Sequence, residues 1–181
     1  LPMYTGSLPT PLGALYNGST VNDTWSGNIT FGSDVTIGVA VAANNISVQG
    51  QIIGANNLSK VGSGLLALSA GNVNFTGNVY IAAGTLDLNS VGTLTNANIT
   101  ATPGTLLLLD NSGTGTLKYD RLGDNATVIL NGGTLSMTGS PFFGAETSET
   151  IGTVELRGGL STITSTSGNQ TAGSALPFWA M

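Results

Sequence analysis

The side chains that could do acid–base chemistry in this 181-residue chain include two close acidic pairs. These pairs are Asp120 with Asp124, and Glu146 with Glu149. Two convergent carboxyl groups can hydrolyse a glycosidic bond, one as a general acid and the other as a base or nucleophile. The segment from Asp120 to Asp124 is equally typical of a turn in which aspartate accepts backbone N–H bonds. We predict that the chain is not an enzyme, and keep a carbohydrate-active enzyme as an alternative.

The chain has few of the side chains that nucleophilic catalysis and metal binding require. The chain has no histidine and no cysteine, so a serine nucleophile would depend on Lys60 or Lys118 as its base. We interpret Lys60 as a solvated corner residue. The oxygen-rich segments at Asp110–Gly113 and Asp124–Asn125 are fragments of a calcium loop, and turn chemistry explains them as well. We therefore predict no cofactor and no metal site.

Asparagine recurs in a pattern that glycosylation could use. The triplet Asn-x-Ser/Thr, the acceptor signal for N-linked glycans, occurs nine times. The candidate acceptors are Asn28, Asn45 and Asn98, each followed by isoleucine. The same triplets also arise from strand alternation, in which the isoleucine points inward and its polar neighbours point outward. Both interpretations stay open from the sequence.

The composition limits the partners. Only 7% of residues are charged, against roughly 25% in an average soluble protein, while 40% are hydrophobic, so the chain can fold. The net charge is −5, and the four basic residues are dispersed, which predicts no binding to nucleic acid. The sequence contains no apolar run near the 18 residues that span a bilayer, so we predict no membrane insertion. A weakly charged surface favours association between copies.

A glycine-led repeat predicts the fold. Glycines 64, 84, 104, 133 and 152 each precede alternating apolar residues, at intervals of 20, 20, 29 and 19. Such a period indicates a solenoid whose coils stack to bury their apolar sides. Residues at the same offset from each glycine should then form one core stack: Leu66, Leu86, Leu106, Leu135 and Val154. A β-sandwich of short hairpins is the alternative architecture.

The segment 58–88 also resembles a known family. Its Lys60, the Gly62/Gly64 pair, the Phe75-Thr76-Gly77 step and the run Ala83–Leu86 are similar to the autotransporter-associated β-strand repeat. The stretches 120–139 and 148–156 resemble the modules that follow this repeat in very large bacterial surface proteins. The resemblance implies an all-β, right-handed parallel β-helix that is exported, and hence an extracellular or cell-surface location.

These features together predict three segments and a structural role. We expect an N-terminal arm or cap at 1–24, a solenoid at 25–166 and a C-terminal arm or cap at 167–181. Because the chain starts at Leu1 without a visible signal peptide, we expect a mature form or a fragment of a precursor. The predicted function is a self-associating scaffold. An adhesion module that binds surface glycans is a second alternative, with Trp25, Tyr119, Phe142 and Phe143 as its aromatic candidates.

Self-association is predicted to occur head to tail, giving a homopolymer. The first and last coils of a β-helix leave unpaired N–H and C=O groups, which pair with other chains unless they are covered. Arms that fold back onto their own solenoid are the competing arrangement. Outward leucines and the apolar arms would supply the contacts, at Leu107, Leu109, Leu176, Phe178, Trp179, Leu1, Met3 and Tyr4. For the two leucines at 107 and 109, a local bulge that turns one of them inward is the alternative.

Overall fold

The computed structural model describes residues 13–113, 119–142 and 145–168, which form sixteen β-strands and no helix. These segments accordingly contain no helix that could cross a membrane. The first eight strands are β1 (Leu15–Asn17), β2 (Asp23–Trp25), β3 (Ile29–Thr30), β4 (Val35–Val39), β5 (Asn45–Val48), β6 (Ile52–Ile53), β7 (Leu58–Val61) and β8 (Leu65–Leu68). The other eight are β9 (Val79–Ile81), β10 (Thr85–Leu88), β11 (Ile99–Ala101), β12 (Leu106–Asp110), β13 (Thr127–Leu130), β14 (Thr134–Thr138), β15 (Thr153–Leu156) and β16 (Thr162–Thr166).

The strands stack as a parallel β-solenoid of about six turns. Sheet 1 has the order β1-β4-β7-β9-β11-β13-β15, and sheet 2 has the order β2-β5-β8-β10-β12-β14-β16. A third side begins with the pair β3-β6 and continues in isolated parallel bridges such as Leu94 with Leu122. Each coil runs from sheet 1 to sheet 2 and then to the third side. The predicted all-β parallel solenoid is confirmed.

The core consists of columns of inward side chains, because parallel strands in register place equivalent residues on the same face. Three columns matter below. The Leu66 column is Asp23, Ile46, Leu66, Leu86, Leu107, Leu135 and Ile163. The Leu68 column is Trp25, Val48, Leu68, Leu88, Leu109, Met137 and Ser165. The Ile81 column, in sheet 1, is Leu15, Ile37, Lys60, Ile81, Ala101, Leu130 and Leu156.

An amide ladder runs along the corner that precedes sheet 1. The N–H of Asn57 donates to Asp34 Oδ1 at 2.9 Å, and the N–H of Asn78 donates to Asn57 Oδ1 at 3.0 Å. Two coils on, the N–H of Thr127 donates to Asn98 Oδ1 at 2.9 Å. Each side chain thus satisfies a backbone donor of the next coil where the strand hydrogen bonds end.

On the third side, a glycine allows two aromatic rings to meet. Phe31 and Phe75 make an edge-to-face contact with ring centroids 5.8 Å apart, and Gly54 pairs with Phe75. Gly54 has φ +131°, and a Cβ there would lie 2.9 Å from the carbonyl oxygen of Phe31. Both the backbone conformation and the close approach therefore require glycine.

The solenoid starts earlier than the sequence predicted. β1 and most of β2 lie within residues 1–24, which were assigned to an arm. Leu15–Asn17 is only three residues long, so it carries too little alternation to be recognised, and it is a strand because it pairs with β4. At the other end, β16 ends at Thr166, and of the predicted arm 167–181 only residues 167 and 168 are described.

Candidate functional sites

The predicted core stack is partly right and shifted by one residue in one coil. Leu66 and Leu86 are fully buried, and Leu135 is nearly so, all within the Leu66 column. Leu106 was predicted to join them, but it pairs with Thr85 and Thr134 and is only partly buried. Its neighbour Leu107 occupies the column instead.

The shift also overturns the predicted contact face at Leu107 and Leu109. Both are buried, so neither can contact a second copy from this coil. The cause is the spacing between the glycine and its strand: Gly84 directly precedes Thr85, whereas one residue lies between Gly104 and Leu106, the partner of Thr85. The extra residue is the buried Thr105, whose hydroxyl donates to the Thr102 carbonyl at 2.7 Å. A slip of one residue exchanges the two faces of a strand.

Val154 was also assigned to the wrong column. It lies in β15 of sheet 1, where it pairs with Val128, whereas Leu135 belongs to sheet 2. Its glycine, Gly152, precedes a sheet 1 strand, so the same local pattern occurs at two different corners. The side chain still packs, partly buried, against the core.

Lys60 is buried, which contradicts its interpretation as a solvated corner residue. It occupies the Ile81 column with no exposed surface. Its Nζ donates to the carbonyl oxygens of Val61 at 3.0 Å, Gly62 at 2.7 Å and Ala83 at 3.0 Å. Burial lowers the pKa of Lys60 to about 8. All three Nζ donors are thus committed to backbone acceptors, which leaves the amine poorly placed to activate a serine.

A buried polar cluster lies where sheet 2 turns to the third side. Arg121 has no exposed surface, and its Nη2 donates to the Asp110 carbonyl at 2.6 Å and to Asn111 Oδ1 at 2.7 Å. Nη2 also donates to the Ser90 carbonyl at 3.1 Å, and Nη1 donates to the Gly92 carbonyl at 2.8 Å. The guanidinium group therefore ties together two successive coils that begin with β9 and β11.

Asp87 is the acidic member of this cluster. It is 5% exposed, and its Oδ2 accepts from Asn89 Nδ2 at 2.7 Å. Burial raises the pKa of Asp87 to about 6; the Asn89 hydrogen bond opposes this, Asp110 adds to it, and Arg121 opposes it. Asp87 Oδ1, Thr93 Oγ1 and Arg121 Nε are buried atoms without a hydrogen-bond partner within the described residues. Burial of these polar groups therefore costs free energy, and their hydrogen bonds offset that cost only in part.

Glu149, one of the acidic candidates for catalysis, binds backbone groups of the solenoid. Both oxygens of Glu149 accept backbone N–H bonds at 2.8 Å, from Arg121 and Leu122. Burial raises the pKa of Glu149; the two N–H bonds lower it, and the nearby Asp120 raises it. The structure thus places Glu149 near Asp120, which belongs to the other acidic pair of the sequence. Within the described residues, no three metal-ligating side chains gather at one point.

The N-terminal end of the described solenoid exposes its core. β1 and β2 stand at the edges of sheets 1 and 2. A cavity of about 240 Å³ opens there, lined by residues that include Leu15, Ile29, Phe31 and Val35. Trp25 borders this cavity at the end of the Leu68 column and is 47% exposed. An open apolar end of this kind is typical of a contact surface.

The C-terminal end shows the same property. β15 is the edge strand of sheet 1 at this end, and β16 is the edge strand of sheet 2. Leu156, which ends the Ile81 column, is 66% exposed, and Ile163, which ends the Leu66 column, is 56% exposed. Their equivalents Leu130 and Leu135, one coil inward, are buried. Within the described residues, both ends therefore present core positions that no further coil covers.

Several predicted site residues lie outside the described residues or remain untested. The arm residues Leu1, Met3, Tyr4, Leu176, Phe178 and Trp179, and also Phe143, fall outside the described segments. Asn28 and Asn98 are exposed and serve the corners, with Asn28 Oδ1 accepting the Gln51 N–H at 2.9 Å. Asn45 is partly buried. Glycosylation stays a prediction at all three positions.

The aromatic candidates for adhesion are exposed but belong to separate elements. Trp25 is at the N-terminal edge of sheet 2, Tyr119 precedes the buried Arg121, and Phe142 follows β14.

Sequence reasoning did not single out Leu156 and Ile163 as contact residues. Their alternation marks them as inward, and only their place in the last coil makes that face accessible.

Comparisons with known proteins found no relative of this chain. No family model, curated protein or solved structure matches the chain. The resemblance of residues 58–88 to the autotransporter-associated repeat therefore stays a prediction.

Proposed function

We propose that this chain is a structural, self-associating β-solenoid of a bacterial cell surface or extracellular filament, which acts as a scaffold rather than a catalyst. The observation that carries the proposal is the pair of open ends. β1 and β2 at one end, and β15 and β16 at the other, are edge strands beside exposed core residues. Such edges pair with other chains unless they are covered.

The charge distribution at the C-terminal end supports association there. β16 has the sequence Thr-Ile-Thr-Ser-Thr, which carries no charge that would deter pairing. In β15 the single acidic residue, Glu155, forms an ion pair with Arg157. A head-to-tail contact does not close on itself, so it produces a filament rather than a ring or a dimer. The surface or extracellular location rests on the repeat resemblance and the low charge.

The scaffold role is supported by what the reactive groups do. The Lys60 amine and the Glu149 carboxylate, the strongest candidates for chemistry, each hold backbone groups of the solenoid. A group committed to such bonds would have to break them to serve as base or acid. We therefore expect no turnover of polysaccharides by the purified chain.

Sedimentation velocity over a range of concentrations, with electron microscopy of the same samples, tests self-association. We expect concentration-dependent oligomers in the wild type and a shift to monomer in the double variant Leu156→Lys/Ile163→Lys. Tyr80→Lys is the matched control, because Tyr80 is 46% exposed on an interior strand of sheet 1. A wild type that stays monomeric throughout, or a double variant that associates like the control, would refute the proposal.

A further inference from the structure

We infer that two copies join by continuing both sheets in the register of the interior coils, and that Asp23 weakens this junction at neutral pH. In this arrangement β15 and β16 of one copy pair with β1 and β2 of the next. The inference rests on the proposed function and adds to it the contact residues and their regulation by protonation.

The register follows from the columns. Each interior coil adds one residue to a column. A second copy continues the column only if the residue that begins the column in that copy stacks on the residue that ends it in the first copy. The Ile81 column then joins Leu156 to Leu15, two apolar side chains. The Leu68 column joins Ser165 to Trp25, so that the indole is covered by the last coil of the neighbour.

The third column contains a mismatch. The Leu66 column is apolar from Ile46 to Ile163 and begins with Asp23, which is exposed in the described solenoid. In the junction, Asp23 lies between Ile46 of its own copy and Ile163 of the next. An aspartate carboxylate is charged at neutral pH, and its burial between apolar side chains carries a desolvation penalty. Protonation removes most of this penalty.

Charged groups around the junction do not offset Asp23. The flanking strands β5 and β16 carry no charged side chain. Arg157 and Glu155 are paired with each other on sheet 1. Asp34 lies at the corner, where its carboxylate accepts the N–H of Asn57. Among the described residues, the carboxylate of Asp23 therefore has no cation opposite it, and lowering the pH should tighten the junction.

Disulfide trapping tests the register, and the absence of cysteine from the chain makes it clean. Leu15→Cys protein and Leu156→Cys protein are mixed and oxidised, and we expect a heterodisulfide dimer, since neighbouring parallel strands bring equivalent Cα atoms within disulfide reach. Asp23→Cys mixed with Leu156→Cys is the control, because these positions lie on different sheets, and it should not cross-link. Equal cross-linking of both mixtures, or none while sedimentation still shows oligomers, overturns the register and leaves the proposed function standing.

The dissociation constant of the junction tests the role of Asp23. At pH 7 we expect Asp23→Asn to associate about tenfold more tightly than wild type, the factor that about 1.4 kcal/mol produces. Asp124→Asn removes the same charge from an exposed turn outside the three columns that meet at the junction, and should associate like wild type. At pH 4.5 the Asp23→Asn advantage should shrink. If Asp23→Asn and Asp124→Asn are indistinguishable at pH 7, Asp23 does not gate the junction, whether or not the chain self-associates.

Discussion

The buried carboxylate of Asp87 should make this protein less stable as the pH rises through the mildly acidic range. Burial raises the pKa of Asp87 from 3.8 to about 6. A carboxylate whose pKa is raised by folding stabilises the fold in its protonated form, below about pH 4, and that contribution is lost as the pH rises to about 6. At about 1.4 kcal/mol per unit of pKa, the difference corresponds to about 3 kcal/mol.

Asp87→Asn removes the titration while keeping the shape and an acceptor for Asn89. We expect the variant to exceed the wild type in free energy of unfolding by up to about 3 kcal/mol at pH 7.5, and to match it near pH 3.5. Urea denaturation of dilute protein, followed by circular dichroism at several pH values, measures both curves. Because Glu149 also has a raised pKa, the difference between the two curves isolates Asp87.

Asp124→Asn, on an exposed turn, controls for the loss of one negative charge and should leave the pH dependence unchanged. Two results would refute the reasoning on Asp87. One is an Asp87→Asn curve parallel to that of the wild type across the whole pH range. The other is a variant that is less stable than wild type at pH 7.5, which would mean that the attraction between Asp87 and Arg121 outweighs the desolvation of the carboxylate.

Three further variants test the register, the buried lysine and a required glycine. Leu107→Ala should lower the free energy of unfolding by about 2–5 kcal/mol and Leu106→Ala by much less, and equal losses in urea denaturation would contradict the column assignment. Burial lowers the pKa of Lys60 to about 8, so wild-type stability should rise between pH 8 and pH 10.5, and in Lys60→Met this rise should vanish from the same titration. Gly54→Ala should cost about 1–3 kcal/mol because φ is +131° and a backbone oxygen lies in the way, whereas Gly32→Ala, with no atom near, should unfold thermally like wild type.

Local spacing predicted the architecture well. The glycine-led repeat led to a parallel solenoid with Leu66 and Leu86 in one column, and both are buried there. This succeeded because Gly64 and Gly84 each directly precede the first residue of a strand, so Leu66 and Leu86 take the same register. It failed at Leu106, where Thr105 adds one residue to the corner, and at Val154, where the same motif precedes a strand of the other sheet.

The candidate sites depend on which coil of the stack a residue belongs to. The local sequence pattern carries no information about that position. Leu156 and Leu130 have the same apolar character and the same column, yet one is exposed and the other is buried, because no described coil follows the one that contains Leu156. The sequence led us to interpret Lys60 as a solvated cation, and the structure buries it, like Arg121, against carbonyl oxygens.

The sequence by itself determined that the chain is all-β and stacked, since strand alternation and a repeat near twenty residues are local properties that survive any change of surroundings. Only the tertiary structure decided which face of β12 points inward, which polar groups are buried around Asp87, and which apolar residues are left open at the ends. These outcomes depend on contacts between coils that are twenty or more residues apart, where one additional corner residue exchanges inside for outside.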